Sequence, residues 1–381
     1  MMSAVQALQI HAGPRAIRWL RERGLQPADV RAIPAAAGGP KGLVLNRLDQ
    51  FIFGDWLAAP AVAPELDVRA GASVAGAGAA PPVHLLGASI GAWRMAAACL
   101  HDPVAALERL ASDYIHQTYA SEPGRAPKAQ VVTDTFGAKL VEHFGDRESE
   151  VLLHPRFRLH VFTSRGRHVL RREGKLRTPV GYAGAFATNL VSRKALGAWM
   201  ERVVFSDARS WLPVGLADYR TRIVPLGAHN LQPGILASCS IPFWLKAVHD
   251  IPGAPRGAYW DGGITDYHLH LNYAAMFPDG VVLYPHFQPQ VVPGWLDKML
   301  KHRHRASAAL DNLVLLSPNP EWVRTLPSGK LPDRSDFKRY VNDLPGRVKA
   351  WTSAVAQSQQ LADEFAQWVA HPGSLPIQAL R

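Results

Sequence analysis

Twice along this chain a short apolar run ends in a glycine-rich turn that leads straight into a helical pattern. "VRAIP" at 30–34 runs into "AAAGGPKG" and then "LVLNRLDQFIFGDWL"; "VHLLG" at 83–87 runs into "ASIG" and then "AWRMAAACLH". An apolar run this short, bounded by turn residues, reads as a buried strand. "RIVPL" and "GVVLYPHF" are further strand candidates, and helical patterns are predicted over 14–24, after Asp102-Pro103, and over 184–204. Strands alternating with helices predict an α/β layered fold with parallel strands inside.

The rest of the chain adds three expectations. "RFRLHVFTSRGRHVLRR" reads as strand, turn, strand, and residues 156–177 carry eight Arg or Lys against one Glu. Residues 58–82 are Ala/Gly/Pro-rich and read as a loop. The tail from about 295 reads as helical, with Trp351, Val355, Ala362, Phe365 and Val369 at a spacing that shares one face. The expected organisation is a catalytic domain over 1–290 with a helical C-terminal extension over 291–381 packed on it.

Charge bounds the partners. Lys+Arg 42 against Asp+Glu 31 gives a net charge of +11, which favours anionic surfaces or substrates. No aromatic–basic recognition motif accompanies it, so no nucleic acid is expected. Contact with an anionic membrane through the 156–177 cluster is an expectation, centred on Arg165, Arg167, Arg171 and Arg172. Two distant cysteines, Cys99 and Cys239, make no disulfide framework. The first residues hold no continuous apolar segment of the signal-peptide kind, and no stretch reads as a membrane span. A cytoplasmic protein is expected.

The second turn holds Gly87-Ala88-Ser89-Ile90-Gly91, a G-x-S-x-G. The motif alone is weak in a chain with 31 Gly. Its setting, strand before and helix after, is the one a nucleophile elbow requires. Glycine is needed on both sides because a sharp turn crowds the backbone, and the helix N-terminus favours negative charge at the serine. Ser89 is therefore a candidate nucleophile. In the first turn, Gly38 and Gly39 expose backbone N–H groups that can hold an oxyanion, Pro40 fixes the loop without donating, and Lys41 and Gly42 complete it. The turn does not satisfy the phosphate-loop pattern.

The base is the discriminating question. With 16 His the composition leaves a Ser-His-Asp hydrolase open, although no His stands in an informative motif. His268-x-His270 and His302-x-His304 lack a third ligand, and no metal or cofactor is expected. Asp261, in "YWDGG" at 259–263, is the stronger candidate: burial beside Tyr259 and Trp260 would raise its pKa and make it a better base. A non-catalytic anion-binding module, using the Gly-rich loop and the Arg-rich segment, is the competing class.

Taken in order, "GGPKG" at 38–42, "GASIG" at 87–91, "ILASCSIPFWL" at 235–245 and "DGG" at 261–263 resemble the patatin-like phospholipase family, over about residues 14–290. The resemblance implies a three-layer α/β/α fold with a mostly parallel sheet. It implies a Ser89–Asp261 dyad without histidine, oxyanion donors from Gly38 and Gly39, and hydrolysis of lipid acyl esters without a cofactor. The chain departs from the family pattern at Ala37, where a third glycine is usual. It lacks the frequent acid ahead of the glycines, and Lys41 replaces the commoner arginine.

Overall fold

A computed structural model describes residues 5–58, 81–120, 126–212, 218 and 220–380. Most of the loop expected over 58–82 lies outside them. Among the described residues eleven strands form one sheet: β1 (Leu8–Ala12), β2 (Val30–Ala35), β3 (Val83–Ala88), β4 (Phe157–Gly166), β5 (Met200–Asp207), β6 (Thr221–Leu226), β7 (Val248–His249), β8 (Ala258–Asp261), β9 (Val281–Pro285), β10 (Leu313–Pro318) and β11 (Ile377–Ala379). The order is β11-β1-β10-β9-β2-β3-β4-β5-β6, with β8 paired to β4 and β7 to β8. From β10 through β9, β2 and β3 to β4 every pairing is parallel. Every residue of β3, β5, β9 and β10 is buried. A strand buried on both faces needs cover on both, so helices flank the sheet in a three-layer α/β sandwich.

Several expectations hold, at β2, β3, β6 and β9 and in the helices Pro14–Arg23, Ile90–Ala98 and Pro103–His116. The Asp102 side chain caps the last of these at 2.9 Å from the Ala105 N–H. Four details are corrected. The first strand is β1, not β2; its run "LQIHA" is only five residues long and interleaves Gln and His with apolar residues. The 156–172 hairpin is one long strand, β4, followed by a single helical turn at His168–Arg171. The helix expected to 204 ends at Val191, and "MERVVFSD" is β5, buried at all its positions. The tail holds the expected helices, Leu344–Gln357 and Gln359–Ala370, but it also supplies β10 and β11. Because β10 lies between β1 and β9, residues 291–381 are not a separate extension packed on a 1–290 domain: part of them is sheet.

The expected apolar face of the tail is broken at Ser358. Trp351 and Val355 pack with Leu43, Ala111 and Ile115, whereas Phe365 joins the main core.

Sheet register positions the two turns. β2 and β3 run parallel with Ala35 opposite Gly87, so the glycine-rich loop after β2 and the turn after β3 emerge side by side at the C-terminal edge. β4 is longer than β3. Its first part pairs with β3, ending at Ala88 opposite Phe162; its later part pairs antiparallel with β8, beginning at Thr163 opposite Asp261. Where β3 leaves the sheet, β8 takes its lane from the other direction.

Candidate active site

Ser89 sits at the N-terminal end of the helix Ile90–Ala98 with φ 57° and ψ −131°. A non-glycine residue held there costs on the order of 1–3 kcal/mol, and such strain gathers at functional sites. The flanking glycines are required by close approach. A Cβ on Gly91 would lie 2.0 Å from the Ala35 carbonyl oxygen, and one on Gly87 would lie 2.3 Å from Ala92 Cα.

The strand exchange along β4 brings Asp261 to this turn. Ser89 Oγ donates to Asp261 Oδ2 at 2.7 Å, and both residues are buried. Asp261 Oδ1 accepts from the Gly263 N–H at 2.7 Å. Both carboxylate oxygens are thus engaged, and neither contact is with a histidine. Ser164 Oγ donates to the Asp261 carbonyl at 2.9 Å, and the Asp261 N–H donates to the Ser240 carbonyl at 2.9 Å. The backbone carrying the acid is held from both sides. A Cβ on Gly262 would lie 2.0 Å from the Phe162 carbonyl oxygen, which accounts for the glycine after the acid. Burial raises the Asp261 pKa to about 6, against the opposing hydrogen bonds and the positive charge of Arg334 and Lys298. The expected elevation is present, and its main cause is desolvation.

Ser238 lies within "ILASCSIPFWL", where no spacing in the sequence marks it for a role. Its hydroxyl accepts from the Ser89 N–H at 2.8 Å and donates to the Phe162 carbonyl at 2.7 Å. One side chain therefore ties the strained turn to β4. A second tie is the buried ion pair of Arg94 with Asp49, bidentate at 2.7 and 2.8 Å. Arg94 lies on the helix after Ser89, and Asp49 lies on Asn46–Phe51, which continues from the glycine loop.

A cleft of about 300 Å³ opens at the acid, with Gly38, Lys41, Asp261, Tyr267, Lys298 and Arg334 in its wall. Of the four loop candidates, Gly38 and Lys41 reach this wall. A Cβ on Gly38 would lie 2.4 Å from the Phe287 ring, so the backbone lies bare against it. Gly39, with φ 56°, turns the chain into the short helix Gly39–Leu45. Gly39 and Gly42 line a separate small cavity beside Ile90 and Arg94 rather than the cleft. Among the described residues no acceptor pairs with the Gly38 and Gly39 N–H groups.

Arg334 and Lys298 had no signal in the sequence, because both come from the tail. Burial, with Arg334 and Lys41 nearby, pulls the Lys298 pKa down to about 8. The residue is open at the rim, but its ammonium lies over the Tyr267 ring, 4.2 Å from the centroid. His268 is a core residue, packed on Tyr267 and His286 and hydrogen-bonded to the Val292 N–H at 3.0 Å. The dense 156–177 charge is engaged internally to a large extent. Arg165 pairs with Glu201, Arg172 with Asp250 at 2.7 Å, and Arg167 donates to the Gly197 carbonyl. No helix among the described residues is long and apolar enough to cross a membrane.

No protein-family model matches the chain, and no curated protein matches it.

Proposed function

We propose that this chain is a serine acyl-ester hydrolase of the patatin-like phospholipase type, with Ser89 as nucleophile and Asp261 as base. The observation that carries the reading is the 2.7 Å Ser89 Oγ–Asp261 Oδ2 hydrogen bond between two buried groups at the head of a strained turn. Nucleophile and base within hydrogen-bond reach, with the base held by further groups, is the arrangement that activates a serine. Ser89 Oγ attacks the ester carbonyl as its proton passes to Asp261 Oδ2. The negative charge on the carbonyl oxygen is met by the Gly38 N–H at the cleft wall. The C–O bond then breaks, the alcohol leaves with the proton from Asp261, and an acyl-Ser89 remains. Asp261 next takes a proton from water; the hydroxide attacks the acyl carbon, and Ser89 leaves as the alkoxide and recovers that proton. An acyltransferase or thioesterase would use the same residues with another acceptor or thiol.

A second groove of about 290 Å³ supports an acyl-chain substrate. Phe136, Trp244, Leu245, Phe337 and Val341 line it, and it shares Ile241 and Arg334 with the cleft. A fatty chain bound there would place its ester at Asp261. The buried free thiols Cys99 and Cys239 fit a cytoplasmic setting, with contact at an anionic interface as part of the same reading.

The test is labelling by a fluorophosphonate probe together with hydrolysis of p-nitrophenyl acyl esters. Wild type is expected to be labelled at Ser89 and S89A not at all, while D261N loses about 10²–10⁴-fold in turnover. Wild-type labelling and turnover in D261N would remove Asp261 as base. No labelling and no hydrolysis by wild type would favour the anion-binding module.

A further inference from the structure

We propose that the cleft continues into an anion-binding arm that selects acyl esters whose leaving group carries a phosphate monoester. The inference rests on the hydrolase reading and extends it to the leaving group. A cavity of about 600 Å³ adjoins the cleft and shares Lys41, Tyr267 and Lys298 with it; Gln288, Gln290, Lys301, His304 and Arg305 complete its polar wall. No carboxylate is among the described residues that line it.

The cations here are treated differently from their neighbours. Arg303 pairs with Asp297 at 2.8 Å, Arg193 pairs with the other oxygen of Asp297 at 2.9 Å, and Arg202 pairs with Asp266 at 2.6 Å. Lys41, Lys298, Lys301, Arg305 and Arg334 form no ion pair among the described residues. Asp333, the other carboxylate of the cleft wall, is held by Lys330 at 2.9 Å and by the Ser335 N–H at 2.8 Å. The fold neutralises Arg193, Arg202 and Arg303, whereas Lys41, Lys298, Lys301 and Arg305 line the cavity and Arg334 lines the adjoining cleft.

Like charges crowd together only at a cost, and an anion bound among them removes it. Burial is the main cause of the depressed Lys298 pKa, and the positive charges of Arg334 and Lys41 add to it. A phosphate monoester supplies up to two charges and three acceptor oxygens to lysine, arginine and amide donors. A quaternary ammonium head group would meet positive charge instead. Nor would it find a free aromatic face, because Lys298 Nζ already occupies Tyr267 at 4.2 Å and Trp295 at 5.8 Å.

The phosphate could belong to a lipid head group or to a soluble acyl thioester of a phosphorylated carrier. Four substrates of one acyl chain separate the cases: 1-acylglycerol 3-phosphate, 1-acylglycerol, 1-acylglycerophosphocholine and acyl-coenzyme A. Wild type is expected to favour the glycerol phosphate or the coenzyme A ester over the two others by about tenfold or more in kcat/KM, less so as salt rises. The K301A/R305A pair is expected to bring that ratio below about threefold, chiefly through KM, with circular dichroism reporting the fold. Preference for the glycerol phosphate identifies a lipid head group, and preference for coenzyme A identifies the soluble source. Equal rates on charged and neutral substrates, or a ratio unchanged in K301A/R305A, overturn the proposal. Calorimetric titration of S89A with 1-acylglycerol 3-phosphate below its critical micelle concentration separates this inference from the hydrolase reading. Binding that weakens in S89A/K301A/R305A upholds the anion arm even where no ester is cleaved, and absence of binding and of cleavage sinks both.

Discussion

A base must be ionised to accept a proton, and Asp261 carries the pH dependence of the proposed reaction. Its pKa is raised to about 6, because burial disfavours the carboxylate more than Ser89, Arg334 and the Gly263 N–H favour it. An ordinary aspartate ionises near 3.9. Below about pH 6 the acid holds its proton, cannot take one from Ser89, and hydrolysis falls. The acid limb of kcat/KM on a soluble p-nitrophenyl ester is therefore expected near pH 6, followed between pH 4.5 and 8. A limb near pH 4 would mean that an unperturbed carboxylate does the work. Asp261 and its two glycines were legible in the sequence because a short acid-turn motif records local backbone needs. The distance to Ser89 was not: the two residues meet only because β8 enters the lane that β3 vacates along β4.

At the scale of elements, the glycine loop and the elbow helix must keep a fixed spacing, since one would hold the oxyanion and the other the nucleophile. Two parallel strands set the register, and the Arg94–Asp49 pair locks the helices behind them. Removing one partner of a buried ion pair leaves the other charge unpaired and costs about 3–5 kcal/mol. D49A is expected to lower stability by that order in urea unfolding and to depress turnover on a soluble ester with it. R94M/D49L, which removes both charges, is expected to recover most of the stability. Equal loss in the single and double variants would show that the cost lies in losing the pair itself and not in the unpaired charge left behind. Neither residue stands in a motif, because a buried arginine and a buried aspartate look in sequence like any two surface charges on helices.

On the scale of the whole molecule, the tail is part of the sheet and of the cleft. β10 fills the position between β1 and β9, and Lys298 and Arg334 reach the cleft wall from beyond residue 290. Truncation at residue 290 is expected to yield insoluble protein, because it removes β10 and β11, strips the all-buried β9 of one of its two neighbours and leaves β1 without either strand it pairs with. A soluble, cooperatively melting 1–290 fragment, judged by circular dichroism, would contradict that. The sequence misled here because "LVLLSP" is one short apolar run among helical patterns, and periodicity cannot separate a fully buried strand from a buried helical segment. By itself the sequence determined the α/β class, the two glycine turns, and the residue types proposed for nucleophile and base. These are local matters, fixed by hydrophobic runs and by glycines that no side chain can replace. Only the tertiary structure decided which acid meets Ser89, that Ser238 holds its backbone, that Gly42 faces away from the cleft, and that unpaired cations from the tail gather beside Lys41. Each of these depends on strand order and long-range register, which bring together residues that no sequence spacing relates.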